Sequence, residues 1–271
     1  MGNRFSLNDK VIVVTGATGV LGHAFITALA EEGAIVGVLG RNEKVANERV
    51  DEIIRQGGRA IVLLADVTKE EQLIAARKKM LDNFEKIDGL VNAAGGNMPG
   101  AVIDTDKNIF QLDFAALKQV MELNLFGTML PTQIFGEAIA SQGKGSIVNI
   151  SSMASQRTIT KVLGYSMAKS AIDCYTKWFA VEAGKRYGDN IRINAIAPGF
   201  FLTEQNKLLL TNGNGAMTER GQLVIKNTPF NRFGDPDELI GVLVWLLSDA
   251  SKFVTGTVVN VDGGFSIFSG V

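Results

Sequence analysis

The chain has 271 residues, of which 46% are hydrophobic and 20% charged, and its net charge at pH 7 is −1. This composition is ordinary for a globular protein and lacks the basic excess that marks most nucleic-acid-binding proteins. A single cysteine excludes an intrachain disulfide, no apolar run approaches the ~20 residues of a membrane-spanning helix, and the polar N-terminal stretch does not resemble a signal peptide, so we expect a cytoplasmic protein.

Seven short apolar runs recur along the chain, continuous and rich in β-branched residues rather than alternating. This pattern is typical of strands buried on both faces of a parallel sheet. The runs are 11–16, 34–40, 60–66, 89–95, 146–151, 191–199 and 257–264. Stretches of helical length and period lie between them, for example 21–32, 44–56 and 165–187. The alternation predicts an α/β fold, a single-domain Rossmann-type doubly wound parallel sheet of about seven strands with helices on both faces, over residues 1–271.

The segment 200–232 interrupts this alternation. It contains "NGNG" at 212–215 and no clear strand. Long irregular stretches inside a compact domain are often functional, so we predict a substrate lid here. Cys174, which lies between apolar neighbours in the helical stretch 165–187, is predicted to be a small buried hydrophobic residue.

The first predicted strand runs into "TGATGVLG" (15–22), which carries Gly16, Gly19 and Gly22. In a nucleotide-binding turn the first glycine permits the tight turn, a later one lets the backbone approach phosphate oxygens, and the last lets the helix pack against the strand. The spacing G-x-x-G-x-x-G departs from the usual G-x-G-x-x-G, and a plain turn is the alternative. The strand before and the helix after favour nucleotide binding.

Two charged residues follow the second and third predicted strands. Arg41 stands where NAD enzymes usually have an acidic residue for the ribose hydroxyls. A guanidinium there could pair with a 2′-phosphate and stack on adenine, so Arg41 weakly favours NADP(H), with NAD(H) left open. Asp66 is placed to accept from the adenine amino group, to cap a helix starting at Thr68, or to do both.

Tyr165 and Lys169 in "GYSMAKSAIDCYTKW" are four residues apart and so lie on one face of a helix. An ammonium near a phenol favours the phenolate, so we expect Lys169 to lower the pKa of Tyr165 and make it a general acid/base. Ser152 ends a buried strand 13 residues earlier. Its hydroxyl could hold a substrate oxygen beside Tyr165.

These residues carry a family resemblance. The glycine turn, "NAAG" (92–95), Asn124 in "LNLFG", Ser152, "YSMAK" and "APGFFLT" resemble, in order and spacing, the short-chain dehydrogenases/reductases over essentially the whole chain. The resemblance implies a nicotinamide cofactor, proton transfer by Tyr165, and polarisation of the carbonyl by Ser152. It also implies that Lys169 binds the ribose and that Asn124 holds a water linking Lys169 to solvent.

The same resemblance implies a set of cofactor-binding positions along the crevice. They are Gly16, Thr18, Gly19, Val20, Leu21, Arg41, Asp66, Val67, Asn92, Ala93, Ala94, Gly95, Tyr165, Lys169, Pro198, Gly199 and Thr203. The sequence departs from the family pattern at two of these. Ala93 replaces the second asparagine of "NNAG", which puts a structural hydrogen bond in question. Val20 stands where the commoner "TGxxxGxG" has glycine, which puts the backbone path at this position in question.

The segments "GFFLTEQNKLLLTNGNGAMTERG" and "TPFNRFGDPDELIG" resemble the sugar-acid branch, and within it the D-mannonate oxidoreductase (fructuronate reductase) group. That resemblance implies interconversion of D-fructuronate and D-mannonate. A sugar-acid carboxylate needs a cation or a cluster of donors. Arg157 is the first candidate, and Lys161 shares its loop. The substrate-binding candidates as a whole are Asn97, Ser152, Met153, Arg157, Asn206 and Arg232.

Three functions therefore stay open on the sequence. The first is the sugar-acid reductase, the second is gluconate 5-dehydrogenase or another polyol dehydrogenase, and the third is a cofactor-sensing protein without catalysis. Such sensors typically lose the tyrosine or lysine, whereas Tyr165 and Lys169 are both present. We expect no metal, no nucleic-acid or membrane partner, and, by family resemblance, a homotetramer.

Overall fold

Seven strands form one parallel sheet in the computed structural model, which describes residues 3–104, 108–203, 207–212 and 215–270. The strands are β1 (Val11–Thr15), β2 (Ile35–Gly40), β3 (Arg59–Leu64), β4 (Gly89–Asn92), β5 (Gly145–Ile150), β6 (Ile191–Pro198) and β7 (Val258–Val261). Their order across the sheet is β3-β2-β1-β4-β5-β6-β7. The predicted doubly wound parallel sheet is confirmed.

Helices pack on both faces of the sheet, and two short helices between residues 207 and 226 pack against each other. The helices of the described residues are α1 (Val20–Glu31), α2 (Glu43–Arg55), α3 (Glu70–Phe84), α4 (Phe114–Met121), α5 (Gly127–Gln142), α6 (Leu163–Tyr187), α7 (Lys207–Leu210), α8 (Glu219–Lys226) and α9 (Ile240–Leu247). Successive residues of a strand point to opposite faces. Ile12 and Val14 of β1 therefore pack in the cluster that holds Phe25 of α1, while Val11 and Val13 pack in the cluster that holds Phe135 of α5. For this reason the central strands are apolar at most positions, and their buried polar residues are hydrogen-bonded inside the protein, as with Asn149 and Arg192.

The strand order places the functional crevice. Strands β1 and β4 are neighbours, in the register Val13↔Leu90, although β2 and β3 lie between them in the chain. From β1 the chain continues to β2 on one side of the sheet, and from β4 it continues to β5 on the other side. In open α/β sheets, ligands bind outside the carboxyl ends of the strands at such a switch point. The glycine turn after β1 and the "NAAG" stretch after β4 are thus brought side by side.

Local hydrogen bonds explain where elements begin and end. Helix α2 begins at Glu43, one residue before the prediction, because the Asn42 side chain accepts from the Val45 N–H at 3.2 Å. Strand β7 ends at Val261, earlier than predicted, because the Asp262 carboxylate accepts from two N–H groups in the following turn, one of them the Gly264 N–H at 2.9 Å.

The segment 200–232 contains helices α7 and α8, which the sequence reading did not predict. Thr218 caps α8: its hydroxyl accepts from the Gly221 N–H at 3.0 Å and donates to the Leu209 carbonyl at 2.7 Å. A Cβ on Gly221 would lie 2.2 Å from the Leu210 carbonyl oxygen. The two helices therefore pack closely through a glycine.

The prediction that Cys174 is buried is wrong, because its side chain is exposed. It lies on the outer face of α6, which also exposes Trp178 and Val181. Apolar neighbours in the sequence suggested a core position, but this helix carries apolar residues on both its buried and its outer face.

Candidate active site

A cavity opens at the carboxyl ends of the central strands and is covered by α7 and α8. Many of the predicted site residues line it together. They are Leu21, Ala93, Gly95, Asn97, Ser152, Met153, Tyr165, Lys169, Pro198, Gly199 and Thr203. Residues from separate parts of the chain thus meet in one crevice, as the switch-point argument requires.

Ser152 and Tyr165 form the polar centre of this cavity. Ser152 follows β5 and caps a 3₁₀ turn, its hydroxyl accepting from the Ala154 N–H at 3.1 Å. The Ser152 hydroxyl lies close enough to the Tyr165 hydroxyl to influence its ionisation. Burial raises the pKa of Tyr165, and the interaction with Ser152 only partly offsets this rise. Tyr165 is therefore protonated at neutral pH.

Lys169 lies one helical turn beyond Tyr165. Its Nζ is 5.5 Å from the centre of the Tyr165 ring and donates to the Ile150 carbonyl at 2.7 Å. Burial lowers the pKa of Lys169 to about 8, and the charge of Asp173 opposes that change. The expectation that Lys169 lowers the pKa of Tyr165 is wrong for this structure, because the ammonium is directed to a backbone carbonyl and desolvation of the phenol dominates.

Asp173, which the sequence reading missed, acts on Lys169 through its charge and hydrogen-bonds the loop that carries Ser152. It is buried one turn after Lys169 on α6. Its carboxylate accepts from the Ser155 hydroxyl at 2.6 Å and from the Ser151 hydroxyl. Because Ser151 and Ser155 flank Ser152, Asp173 holds the loop that presents the catalytic hydroxyl. The i, i+4 spacing from Lys169 was a signal that could have identified it.

Asn124 lies behind the cavity in a π-helical turn, Glu122–Phe126, between α4 and α5. Its Nδ2 donates to the carbonyls of Gly96 and Val120 at 2.7 and 2.8 Å, and its Oδ1 accepts from the Gly96 N–H at 2.9 Å. A Cβ on Gly95 would lie 2.7 Å from this Oδ1 and 3.4 Å from the Lys169 Nζ. Glycine at 95 is thus what lets the two side chains approach the "NAAG" backbone.

The glycine turn suits a pyrophosphate. Gly16 has a φ of +65°, which only glycine adopts without strain. A Cβ on Gly22 would lie 2.1 Å from the Gly16 carbonyl oxygen. Gly19 is the N-cap of α1 and has no side chain to satisfy the first amides, so the positive end of the helix can receive an anion. Val20 opens the helix with its side chain 36% exposed, so the departure from the commoner spacing is accommodated.

The asparagine of "NAAG" serves the interior rather than the cavity. The Asn92 Nδ2 donates to the Thr132 hydroxyl and to Oδ1 of Asn149, both at 2.9 Å. The N–H groups of Ala93 and Ala94 donate to the Thr15 hydroxyl at 3.1 Å. These contacts tie the ends of β1, β4 and β5 together, so this stretch is held without the second asparagine of the family pattern.

Arg41 and Asp66 meet at the ends of β2 and β3. The Arg41 Nη1 is 3.5 Å from the Asp66 Oδ2. Burial works to raise the pKa of Asp66, but hydrogen bonds from Thr68 and the Arg41 charge outweigh it and lower that pKa. Asp66 bonds the N–H and hydroxyl of Thr68, but α3 begins at Glu70, so Asp66 holds the turn before the helix and does not cap it. Val67, beside it, is buried.

Two predicted substrate-binding arginines are absent from the cavity lining and engage other partners, which corrects both assignments. The Arg157 Nη2 donates to the Phe268 carbonyl at 2.7 Å. Arg232 forms a two-point ion pair with Glu238 at 2.7 and 2.5 Å, in an adjoining pocket that shares Phe200 and Phe201 with the cavity. Lys161 pairs with Asp104 at 3.2 Å. Asn206 lies outside the described residues.

Asn97 and Arg220 are the side chains best placed to recognise substrate. The buried Asn97 Oδ1 has no hydrogen-bond partner among the described residues. Arg220 of α8 lines the cavity, and the sequence reading missed it because nothing in "MTERGQ" distinguishes it from a surface residue. Within the described ranges, no group of three acidic, histidine or cysteine side chains could hold a metal ion, and no helix is long and apolar enough to cross a membrane.

Comparisons with known proteins match this fold and site along the whole chain. A family model described as enoyl-(acyl carrier protein) reductase matches residues 16–266. The oxidoreductase UxuB of Bacillus subtilis, itself uncharacterised, is 40% identical, with 98% of both chains covered. The match therefore includes the glycine turn, the residues that line the cavity and the segment 200–232.

Two solved structures extend the comparison. A candidate D-mannonate oxidoreductase from Haemophilus influenzae with bound NAD is 39% identical, covers 98% of each chain and has a TM-score of 0.90. A gluconate 5-dehydrogenase from Burkholderia cenocepacia in complex with NADP and tartrate is 30% identical, covers 97% of each chain and has a TM-score of 0.86. The described fold is thus similar to that of proteins holding either nicotinamide cofactor.

Proposed function

The chain belongs to the short-chain dehydrogenase/reductase family of oxidoreductases, and from that membership we propose that it interconverts D-fructuronate and D-mannonate. The substrate is suggested by similarity to the candidate D-mannonate oxidoreductase. The chemistry rests on one observation, that Ser152, Tyr165 and Lys169 line a shared cavity with the Lys169 Nζ 5.5 Å from the centre of the Tyr165 ring.

In this proposal the nicotinamide cofactor supplies the hydride when bound. The Ser152 and Tyr165 hydroxyls bind the substrate carbonyl oxygen, and the Tyr165 hydroxyl gives that oxygen its proton. The raised pKa of Tyr165 keeps the phenol protonated at neutral pH, as an acid in carbonyl reduction must be. Lys169, with a pKa of about 8, remains largely an ammonium below that pH and donates to the Ile150 carbonyl beside Tyr165.

The cofactor would lie along the crevice from the glycine turn to the cavity. The N-terminus of α1, which has no side-chain cap, would hold the pyrophosphate. The paired Asp66 and Arg41 side chains would hold the adenosine end of the cofactor. We propose a modest preference for NADP(H), because Arg41 is 70% exposed and could turn towards a 2′-phosphate. Its ion pair with Asp66 would limit that preference and leave NAD(H) usable.

Gluconate 5-dehydrogenase is the second candidate, favoured by the similarity to the Burkholderia enzyme. Oxidation of NADPH and NADH by D-fructuronate and by 5-keto-D-gluconate, followed spectrophotometrically, separates the two. A higher kcat/KM with D-fructuronate is the expected result, and the reverse order favours the second candidate. Tight cofactor binding without turnover of any uronate, gluconate or polyol would indicate the non-catalytic sensor.

We also propose a cytoplasmic homotetramer. The outer face of α6 exposes Trp178 and Val181 by 59% and 58%, and exposed large apolar side chains on one face favour association. Sedimentation analysis of the purified chain is expected to give four chains per particle. A monomer would contradict this part of the proposal.

A further inference from the structure

Arg220 places a positive charge in the cavity wall. Among the described residues that line the cavity, Lys169 and Arg220 are the cations and none is acidic. The Lys169 ammonium donates to the Ile150 carbonyl and lies beside the Tyr165 ring, so it belongs to the catalytic group. Arg220 comes from α8 on the lid side. No acidic side chain among the described lining residues pairs with the positive charge of Arg220.

The contacts of Arg220 are with neutral oxygens. Its Nη1 donates to the Thr160 hydroxyl and its Nη2 to the Thr160 carbonyl, both at 3.2 Å. No carboxylate of the described residues lies within 4.0 Å of it, whereas Arg232 is paired with Glu238 and Arg41 with Asp66. A guanidinium has five N–H donors, and Thr160 engages two of them. Burial lowers the pKa of Arg220, as expected where no anion compensates the charge.

The lid fixes where this guanidinium lies. Thr218 caps α8, and Gly221 packs α8 against the Leu210 carbonyl. Thr160 belongs to the loop between Ser152 and Tyr165. Arg220 therefore spans from the lid to the loop that connects the two catalytic hydroxyls. A partly buried cation costs free energy unless it is paired, and the cavity beside it is where substrate must enter.

We propose that Arg220 binds the carboxylate of the substrate and makes the enzyme selective for sugar acids over neutral sugars. This rests on the proposed function, since a keto sugar acid supplies the anion. The planar guanidinium suits a carboxylate, and the charge-assisted bonds it donates are stronger than those between neutral groups. The Thr160 bonds hold the guanidinium in place before substrate arrives.

The test compares Arg220→Met with Arg157→Met, a matched control whose guanidinium bonds the Phe268 carbonyl outside the cavity. Steady-state rates are measured with D-fructuronate and with D-fructose, which has a hydroxymethyl group in place of the carboxylate. Arg220→Met is expected to raise KM for D-fructuronate roughly 10- to 100-fold and to leave D-fructose kinetics unchanged. Arg157→Met is expected to match the wild type on both. Equal losses on both substrates, or no loss on D-fructuronate, would overturn the proposal.

Equilibrium binding separates this proposal from the proposed function. Calorimetric titration of the cofactor-loaded enzyme with D-mannonate and with D-mannitol needs no turnover. Weaker D-mannonate binding in Arg220→Met, with D-mannitol binding unchanged, supports the carboxylate role even if D-fructuronate is not reduced. In that case only the assigned substrate fails. Unchanged D-mannonate binding in the variant overturns the role of Arg220 whatever the activity.

Discussion

Replacing Gly22 by alanine tests how the glycine turn works. A Cβ at this position would lie 2.1 Å from the Gly16 carbonyl oxygen and 2.8 Å from the Ala17 Cα. Both are backbone atoms, which cannot rotate away, so α1 must move by about 1 Å to restore ordinary contact distances. Forcing extra volume into a packed site costs about 1–3 kcal/mol. We expect Gly22→Ala to lose that much free energy of unfolding and to bind cofactor about 5- to 150-fold more weakly if the displacement reaches the phosphate site.

Gly19→Ala is the matched control. Its Cβ would lie 3.4 Å from the same Gly16 oxygen, an ordinary contact, and its φ is −85°. Its stability is expected to stay within about 1 kcal/mol of the wild type, although its cofactor affinity falls if the phosphates approach Gly19. Urea denaturation without cofactor and fluorescence titration with NADPH measure the two effects. If Gly22→Ala unfolds at the wild-type urea concentration, or if the two variants lose equal stability, the packing argument is refuted.

Four further changes test the rest of the site. Tyr165→Phe should lower kcat by about 10²- to 10⁴-fold with little change in NADPH affinity; an active variant would exclude Tyr165 as the proton donor. Burial lowers the pKa of Lys169 from 10.5 to about 8. The folded wild type therefore releases this proton near pH 8, whereas the unfolded chain keeps it until about pH 10.5, so the cost of the buried charge disappears between these two values. The wild type's unfolding free energy should therefore rise by roughly 3 kcal/mol relative to Lys169→Met over that range, and a constant difference in urea denaturation would contradict this. Asp173→Asn removes the charge that raises the pKa of Lys169, so the alkaline limb of the kcat/KM profile should move to lower pH; an unmoved limb would restrict Asp173 to loop structure. Arg41→Ala should weaken NADPH binding and leave NADH binding nearly unchanged, and equal affinities before and after the change would remove Arg41 from cofactor selection.

The fold could be predicted because its signal is local and repeated. A strand covered on both faces is mostly apolar, and β1 and β6 are buried along their full lengths, with Arg192 and Asn194 as the polar exceptions in β6 that bond neighbouring backbone carbonyls. The helices of the segment 200–232 could not be predicted in the same way. Helices α7 and α8 are short, and they are held by Thr218 and Gly221 contacts that depend on tertiary packing.

The site also contains residues that the sequence alone locates and residues that only the tertiary packing locates. Ser152, Tyr165 and Lys169 have a fixed spacing within one strand–loop–helix unit, so the sequence alone placed them together. Which arginine lines the cavity depends instead on how α8 packs over the loop between Ser152 and Tyr165. Arg157 is closer to the catalytic residues in sequence, but its guanidinium bonds the C-terminal segment, whereas Arg220, 55 positions beyond Tyr165, lines the cavity.

The central claim is that the Ser152–Tyr165–Lys169 group reduces a keto sugar acid. It is tested most directly by the initial rate of NADPH and NADH oxidation with D-fructuronate, with the product identified as D-mannonate by chromatography. The account predicts turnover that yields D-mannonate in the wild type and is lost in Tyr165→Phe. Absence of any D-mannonate from a folded, cofactor-binding wild-type enzyme would contradict it.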